Sequence, residues 1–174
     1  SRSLSGNHTL IGSYGSDTLT ATGQIVNLDG GEGNDYLYAY GYIDKEGSRS
    51  YLEEGEATLK GGEGANEIYV YSYFTADIEG GSNNDYIRSN DSGEVIAKGE
   101  DGNDNIGSDD TLNNKLYGGL GDDTIRIDQS ASIVWHDGIS HSVDKNNNDI
   151  LDEISFNYID GGEGDDRLTV FGSY

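Results

Sequence analysis

One acidic residue recurs along this chain at a fixed place in a glycine-rich phrase. The phrase is Gly-Gly-x-Gly-x-Asp-x-(Leu/Ile)-x, read at 30–38, 61–69, 80–88, 99–107, 118–126 and 161–169, with a weaker copy at 12–20. Its sixth place holds Asp17, Asp35, Asn66, Asp85, Asp104, Asp123 and Asp166. Its first and fourth places hold Gly30 and Gly33, Gly61 and Gly64, Gly80 and Asn83, Gly99 and Gly102, Gly118 and Gly121, and Gly161 and Gly164. Glycine serves where the backbone must take φ > 0 and where carbonyls must crowd one point. Carbonyls converging with a carboxylate make a cage of oxygens. Such a cage suits Ca²⁺, which takes about six to eight oxygens in irregular geometry, whereas Mg²⁺ demands a tighter octahedron. Three positions depart from the phrase. Asn66 is neutral and should weaken the gaps it touches, Asn83 replaces a third Gly, and Glu100 replaces a second Gly.

These donors need a scaffold that brings successive phrases together. The steps between copies are close to 19 residues, except where insertions near 41–56 and 129–157 lengthen them. Two residues before each first Gly stand Leu10, Leu28, Leu59, Ile78, Ala97, Leu116 and Ile159. Seven residues after it stand Leu19, Leu37, Ile68, Ile87, Ile106, Ile125 and Leu168, followed two places on by Ala21, Ala39, Val70, Ser89, Ser108, Ile127 and Val170. Period-2 alternation on both sides of the turn makes two short strands per period. One period is then one coil of a solenoid. The expected fold is all-β: a right-handed parallel β-roll of about seven coils with two loop insertions, forming a single domain over residues 1–174. Seven turns leave gaps for at most about six ions.

Composition points the same way. The net charge is −23, which repels nucleic acid and favours cations. There is no Cys, so disulfides and thiolate metal sites are excluded. No apolar run approaches a membrane span. No signal peptide is visible in the sequence, and Ser1–Ser5 reads as a cut point within a larger protein. Leu, Ile, Val and Phe together make about a fifth of the chain, near the limit below which apolar burial cannot order a highly charged chain. Something besides the core must contribute to folding. The competing reading, a flexible Gly/Asp linker, does not account for seven phrases in register with a companion strand.

The phrase resembles the repeats-in-toxin (RTX) nonapeptide, G-G-x-G-x-D-x-U-x, from about residue 10 to 170. The usual member has two phrases per coil. This chain has one, so a calcium column is expected at one edge only. The single-edged pattern is similar to extender and ligand-binding regions of large bacterial RTX adhesins, and to R-modules of secreted mannuronan C5-epimerases. The resemblance implies several Ca²⁺ ions, a bacterial secreted or cell-surface location, type I secretion, and neighbouring domains in a larger protein. It implies a structural or adhesion module, not an enzyme, that folds where calcium is plentiful.

Other residues offer further chemistry. Asp144, Asn146, Asn148, Ile150 and Asp152 fall at places 1, 3, 5, 7 and 9 of an EF-hand-type loop, although Asp149 replaces the turn Gly and Ser155 the bidentate Glu. A second calcium site and a plain polar loop tip are both open there. His136 and His141 fit no zinc spacing, and His136 with Asp137 lacks a nucleophile. Both read as ordinary loop histidines. The same insertion carries Trp135 and reads as a small flap, whereas the first insertion reads as a hairpin turning at Asp44 to Gly47. On the outward face, Tyr38, Tyr69, Arg88 and Arg126 share one column and Tyr40 and Tyr71 the next. Such a patch can stack sugar rings and pair with the carboxylates of an alginate-like extracellular polysaccharide. It can equally be a cross-strand ladder that stabilises the coils.

Overall fold

Alternating apolar and polar residues between glycine turns should form strands whose partners lie one period away. In a computed structural model, which describes residues 6–41, 43–45, 48–50, 55–129, 132–136, 139–143 and 157–172, they do so. In chain order the strands are β1 (Asn7–Ile11), β2 (Thr18–Thr22), β3 (Ile25–Glu32), β4 (Tyr36–Tyr40), β5 (Ile43–Lys45), β6 (Ser48–Ser50), β7 (Glu56–Glu63), β8 (Glu67–Tyr71) and β9 (Thr75–Ser82). There follow β10 (Tyr86–Asn90), β11 (Glu94–Asp101), β12 (Asn105–Asp109), β13 (Asn113–Leu120), β14 (Thr124–Gln129), β15 (Ser132–His136), β16 (Ile139–Val143), β17 (Asn157–Glu163) and β18 (Arg167–Gly172).

Two parallel sheets result. One runs β1-β3-β7-β9-β11-β13-β17 and the other β2-β4-β8-β10-β12-β14-β18. Each coil contributes one strand to each sheet, with the glycine phrase turning the corner between them. Coils 1 to 7 are therefore β1/β2, β3/β4, β7/β8, β9/β10, β11/β12, β13/β14 and β17/β18. This is the parallel β-roll, and both insertions leave its register intact. The first places β5 antiparallel to β6, with Lys45 opposite Ser48. The second pairs β15 with β16, also antiparallel. The EF-type loop at 144–152 lies outside the described residues.

The register reproduces the apolar columns. Leu28, Leu59 and Ile78 stand opposite one another across three coils, as do Leu37, Ile68 and Ile87 in the facing sheet. All six are essentially fully buried, each worth about 1.5–3 kcal/mol of transfer free energy. A third inward column was not read from the sequence. It holds Val26, Ala57, Ala76, Val95 and Asn114, four residues before each first Gly, and all five are buried. From coil 4 onward, polar groups enter this interior. Ser108 Oγ donates to Asn114 Oδ1 at 2.6 Å, and Asn114 Nδ2 donates to Asn157 Oδ1 at 2.8 Å. At the far end Leu168 and Val170 are 48% and 56% exposed, so coil 7 leaves its inward face open. Among the described residues no helix is long and apolar enough to cross a membrane.

Candidate metal column

Each glycine phrase places its sixth residue just before the second strand of its coil. From there the side chain folds back into the turn. Asp35, Asn66, Asp85, Asp104 and Asp123 are all 3% exposed or less. Their Oδ1 atoms serve one purpose. Asp17 N–H donates to Asp35 Oδ1 at 2.8 Å, Asp35 N–H to Asn66 Oδ1 at 2.9 Å, and Asn66 N–H to Asp85 Oδ1 at 2.7 Å. Asp85, Asp104 and Asp123 continue the ladder to Asp104, Asp123 and Asp166 at 2.7, 2.7 and 2.9 Å. Every rung ties one coil to the next.

The Oδ2 atoms differ. Those of Asp35, Asp85, Asp104 and Asp123 are buried and accept no hydrogen bond. A buried carboxylate oxygen without a partner costs about 1–3 kcal/mol or more, so four in one row require a partner. Each lies against the first Gly of its own turn, where the first-Gly carbonyl of the next coil also arrives. A Cβ on Gly80, for example, would stand 2.5 Å from Asp85 Oδ2 and 2.8 Å from Gly99 O. The same pair of oxygens meets at Gly30, Gly99 and Gly118, supplied by Asp35 with Gly61 O, Asp104 with Gly118 O, and Asp123 with Gly161 O. At the fourth place the carbonyls of Gly15, Gly33, Asn83, Gly102 and Gly121 lie against Gly33, Gly64, Gly102, Gly121 and Gly164 in a parallel row. No three acidic or His side chains converge among the described residues. Beside each Oδ2 stands one main-chain oxygen, the first-Gly carbonyl of the next coil. An all-oxygen donor set with an uncompensated carboxylate fits Ca²⁺.

Three sites in the row are different. Asp17 Oδ2 is used by the Ser13 N–H at 2.7 Å. Asp166 closes the last described coil and is only half-buried. In coil 3 an amide replaces the carboxylate, and Asn66 Nδ2 donates to Gly64 O at 3.0 Å. Two of the sequence departures show their backbone consequence: Asn83 sits at φ 73° and Glu100 at φ 78°, in the left-handed region their glycine counterparts occupy freely.

A second ladder, which sequence reasoning missed, runs beside the first in the opposite sense. The fifth-place residue accepts from the following coil. Asn34 Oδ1 takes the Ala65 N–H at 2.9 Å, Asn84 Oδ1 that of Asn103 at 2.9 Å, and Asn103 Oδ1 that of Asp122 at 3.0 Å. Asp122 Oδ1 takes the Asp165 N–H at 2.9 Å. Asn or Asp fills this place in five of the seven copies, a signal that was available. Ala65 has no acceptor to offer.

Electrostatics set the sign of a pH effect. Burial pushes the Asp85 carboxyl up to about 7, with the Asp104 charge acting the same way against the Asn66 N–H. Burial likewise raises Asp104 to about 6, aided by Asp123 and Asp101, and raises Asp123, aided by Asp166 and Asp122. Unfolded Asp titrates near 3.9. Without a cation, the stability these groups contribute is present in acid and is lost as pH rises through about 6 and 7. Calcium-stripped protein should therefore melt at a higher temperature at pH 5 than at pH 8. Calcium affinity should move the other way, falling as pH drops below about 7 because bound protons must leave. Melts and calcium titrations at the two pH values check both signs.

The aromatic face is self-packed. Tyr38 stacks on Tyr69 with centroids 4.7 Å apart and Tyr40 on Tyr71 at 5.1 Å, while Tyr36 and Tyr38 share a hydroxyl hydrogen bond of 2.6 Å. Arg88 is paired with Asp109. Arg126 is held by Asp128 at 2.6 Å and lies 4.9 Å over the Phe171 ring. Both guanidinium groups thus already have carboxylate partners on their own sheet.

The RTX calcium-binding nonapeptide repeat matches this sequence in four copies, over residues 9–41 and 146–170. No curated protein and no solved structure matches it. Coils 3 to 6 lie between the matched segments and carry the same turn and register, with a buried carboxylate in coils 4 to 6 and Asn66 in coil 3. The chain carries repeats of the RTX calcium-binding nonapeptide family at residues 9–41 and 146–170, within a parallel β-roll.

Proposed function

We propose that this chain is a calcium-set structural spacer, with an adhesive role, in a larger exported bacterial protein. The observation that carries the reading is the row of four buried, unpartnered Asp Oδ2 atoms along one edge of the roll. Asp35, Asp85, Asp104 and Asp123 would hold the ions, together with the carbonyls of Gly61, Gly99, Gly118 and Gly161. Calcium bound there supplies positive charge that neutralises the row and bridges neighbouring turns. Binding energy gained only by the folded state becomes folding energy. The residual charge of −23 keeps the free chain expanded where calcium is scarce. RTX repeats are at home in secreted bacterial proteins, which supports export through a type I system and an extracellular or cell-surface location. We take the roll and its two insertions as one unit over residues 1–174, with no catalytic role of its own.

Small-angle scattering tests the spacer reading. Adding millimolar calcium to stripped protein should contract the chain to a short rod. A radius of gyration indifferent to calcium would remove the reading. Polysaccharide binding has no observation in its favour here, because the Tyr rings pack on each other and Arg88 and Arg126 are paired.

A further inference from the structure

The row of sixth-place carboxylates is interrupted at coil 3. Asn66 preserves the ladder, since its Oδ1 accepts from Asp35 N–H and its own N–H reaches Asp85. In place of the free Oδ2 of its neighbours it presents an N–H donor. That donor is already spent on Gly64 O, a fourth-place carbonyl of the same turn. An amide nitrogen directed into the gap between coils 3 and 4 cannot ligate a cation, and it also occupies one of the oxygens.

What holds coils 2 to 4 is of a different kind. Val26, Leu28, Leu37, Leu59, Ile68, Val70, Tyr73 and Ile78 are buried there to 2% exposure or less. Tyr36, Tyr38, Tyr69 and Tyr86 form a continuous ring ladder over the same coils, with centroids 4.7 to 5.7 Å apart. Lys60 bridges to Glu79 at 3.2 Å across the 3–4 junction. From coil 4 onward the interior is mixed. Ser89, Ser92, Ser108, Thr111 and Asn114 are polar and buried beside Val95, Ala97, Ile106, Leu116, Ile125 and Ile127. Three consecutive Asp residues, Asp85, Asp104 and Asp123, keep an unpartnered Oδ2 at the gaps from coil 4 to coil 7.

Resting on the calcium reading above, we infer that the roll is two blocks that meet between coils 4 and 5. Coils 2 to 4 form a mainly apolar block that keeps the Asp35 site in its 2–3 gap but takes no cation in its 3–4 gap, where Asn66 stands. The coils that follow form a cation-held block that opens first when calcium is withdrawn. In a repeat solenoid, stability is nearly a sum of local terms, so unequal terms give unequal opening.

Hydrogen exchange read by mass spectrometry on the whole chain tests this, comparing calcium with chelator. The strands from Glu94 to Asp128 should exchange at least tenfold faster in chelator, while Ile25–Tyr71 change much less. Asn66→Asp restores the missing oxygen. By native mass spectrometry it should bind one more calcium than the parent, and its 3–4 junction should become chelator-sensitive. Equal loss of protection in both blocks, or no added ion in Asn66→Asp, would overturn the two-block division and leave calcium binding standing. Protection unaffected by calcium anywhere would remove the calcium reading itself, and this inference with it.

Discussion

Asp104→Asn is expected to stabilise the calcium-free roll and destabilise the calcium-bound one. Asp104 has two separable duties. Its Oδ1 accepts the Asp85 N–H at 2.7 Å, and its Oδ2 is buried without a partner. Asparagine keeps the first and converts the second into a donor, as Asn66 does toward Gly64 O. Gly102 O stands in the corresponding place for position 104. In chelator the substitution removes an unsatisfied buried oxygen, a gain of about 1–3 kcal/mol. In saturating calcium it deletes a site that, at 100 times its dissociation constant, contributes about 2.7 kcal/mol. Asp104→Ala breaks the ladder as well and should lose stability in both conditions. Urea unfolding of the three proteins in chelator and in calcium reads the result. An Asn variant less stable than the parent in both would mean that Oδ2 is not waiting for a cation.

The second large effect comes from a single methyl group. Gly118 lies where Asp123 Oδ2 and Gly161 O converge, and a Cβ there would overlap both. Neither can withdraw, because one belongs to the ladder and the other is main chain. Gly118→Ala should cost about 2–3 kcal/mol by overpacking and should also abolish the ion between coils 6 and 7. Gly107→Ala is the matched control. Gly107 is also buried, but its Cβ would meet only the flexible Arg88 side chain, at 3.3 Å. That substitution should be neutral or gain up to about 1 kcal/mol by restricting the unfolded chain. Similar losses at the two positions would show that crowding anywhere in the thin roll matters, and that the turn is not a built cage.

The architecture was legible because one signal repeats seven times. A shift of one residue would turn Leu28, Leu59 and Ile78 outward, so their spacing determines the register. The sixth-place Asp residues stood out for the same reason. Other features were hidden by their form. The inward column from Val26 to Asn114 changes from valine through alanine to asparagine, so hydrophobic alternation alone does not reveal it. The fifth-place ladder shows in the sequence only as recurring Asn or Asp, since its partners are main-chain N–H groups that every residue carries. Arg88 and Arg126 looked free as letters, yet Asp109 and Asp128 stand close enough on the same sheet to engage them. Asn66 read as a weakened ligand. Only its contact with Gly64 O shows that it closes the gap instead.

The central claim is that calcium completes these turns. Far-ultraviolet circular dichroism during calcium titration of stripped protein, with magnesium as control, tests it most directly. The account predicts a saturable rise in β signal, specific to calcium, from a partial signal carried by the apolar coils. A full β spectrum in chelator that neither ion changes would contradict it, because the buried Asp oxygens would then be tolerated without any cation.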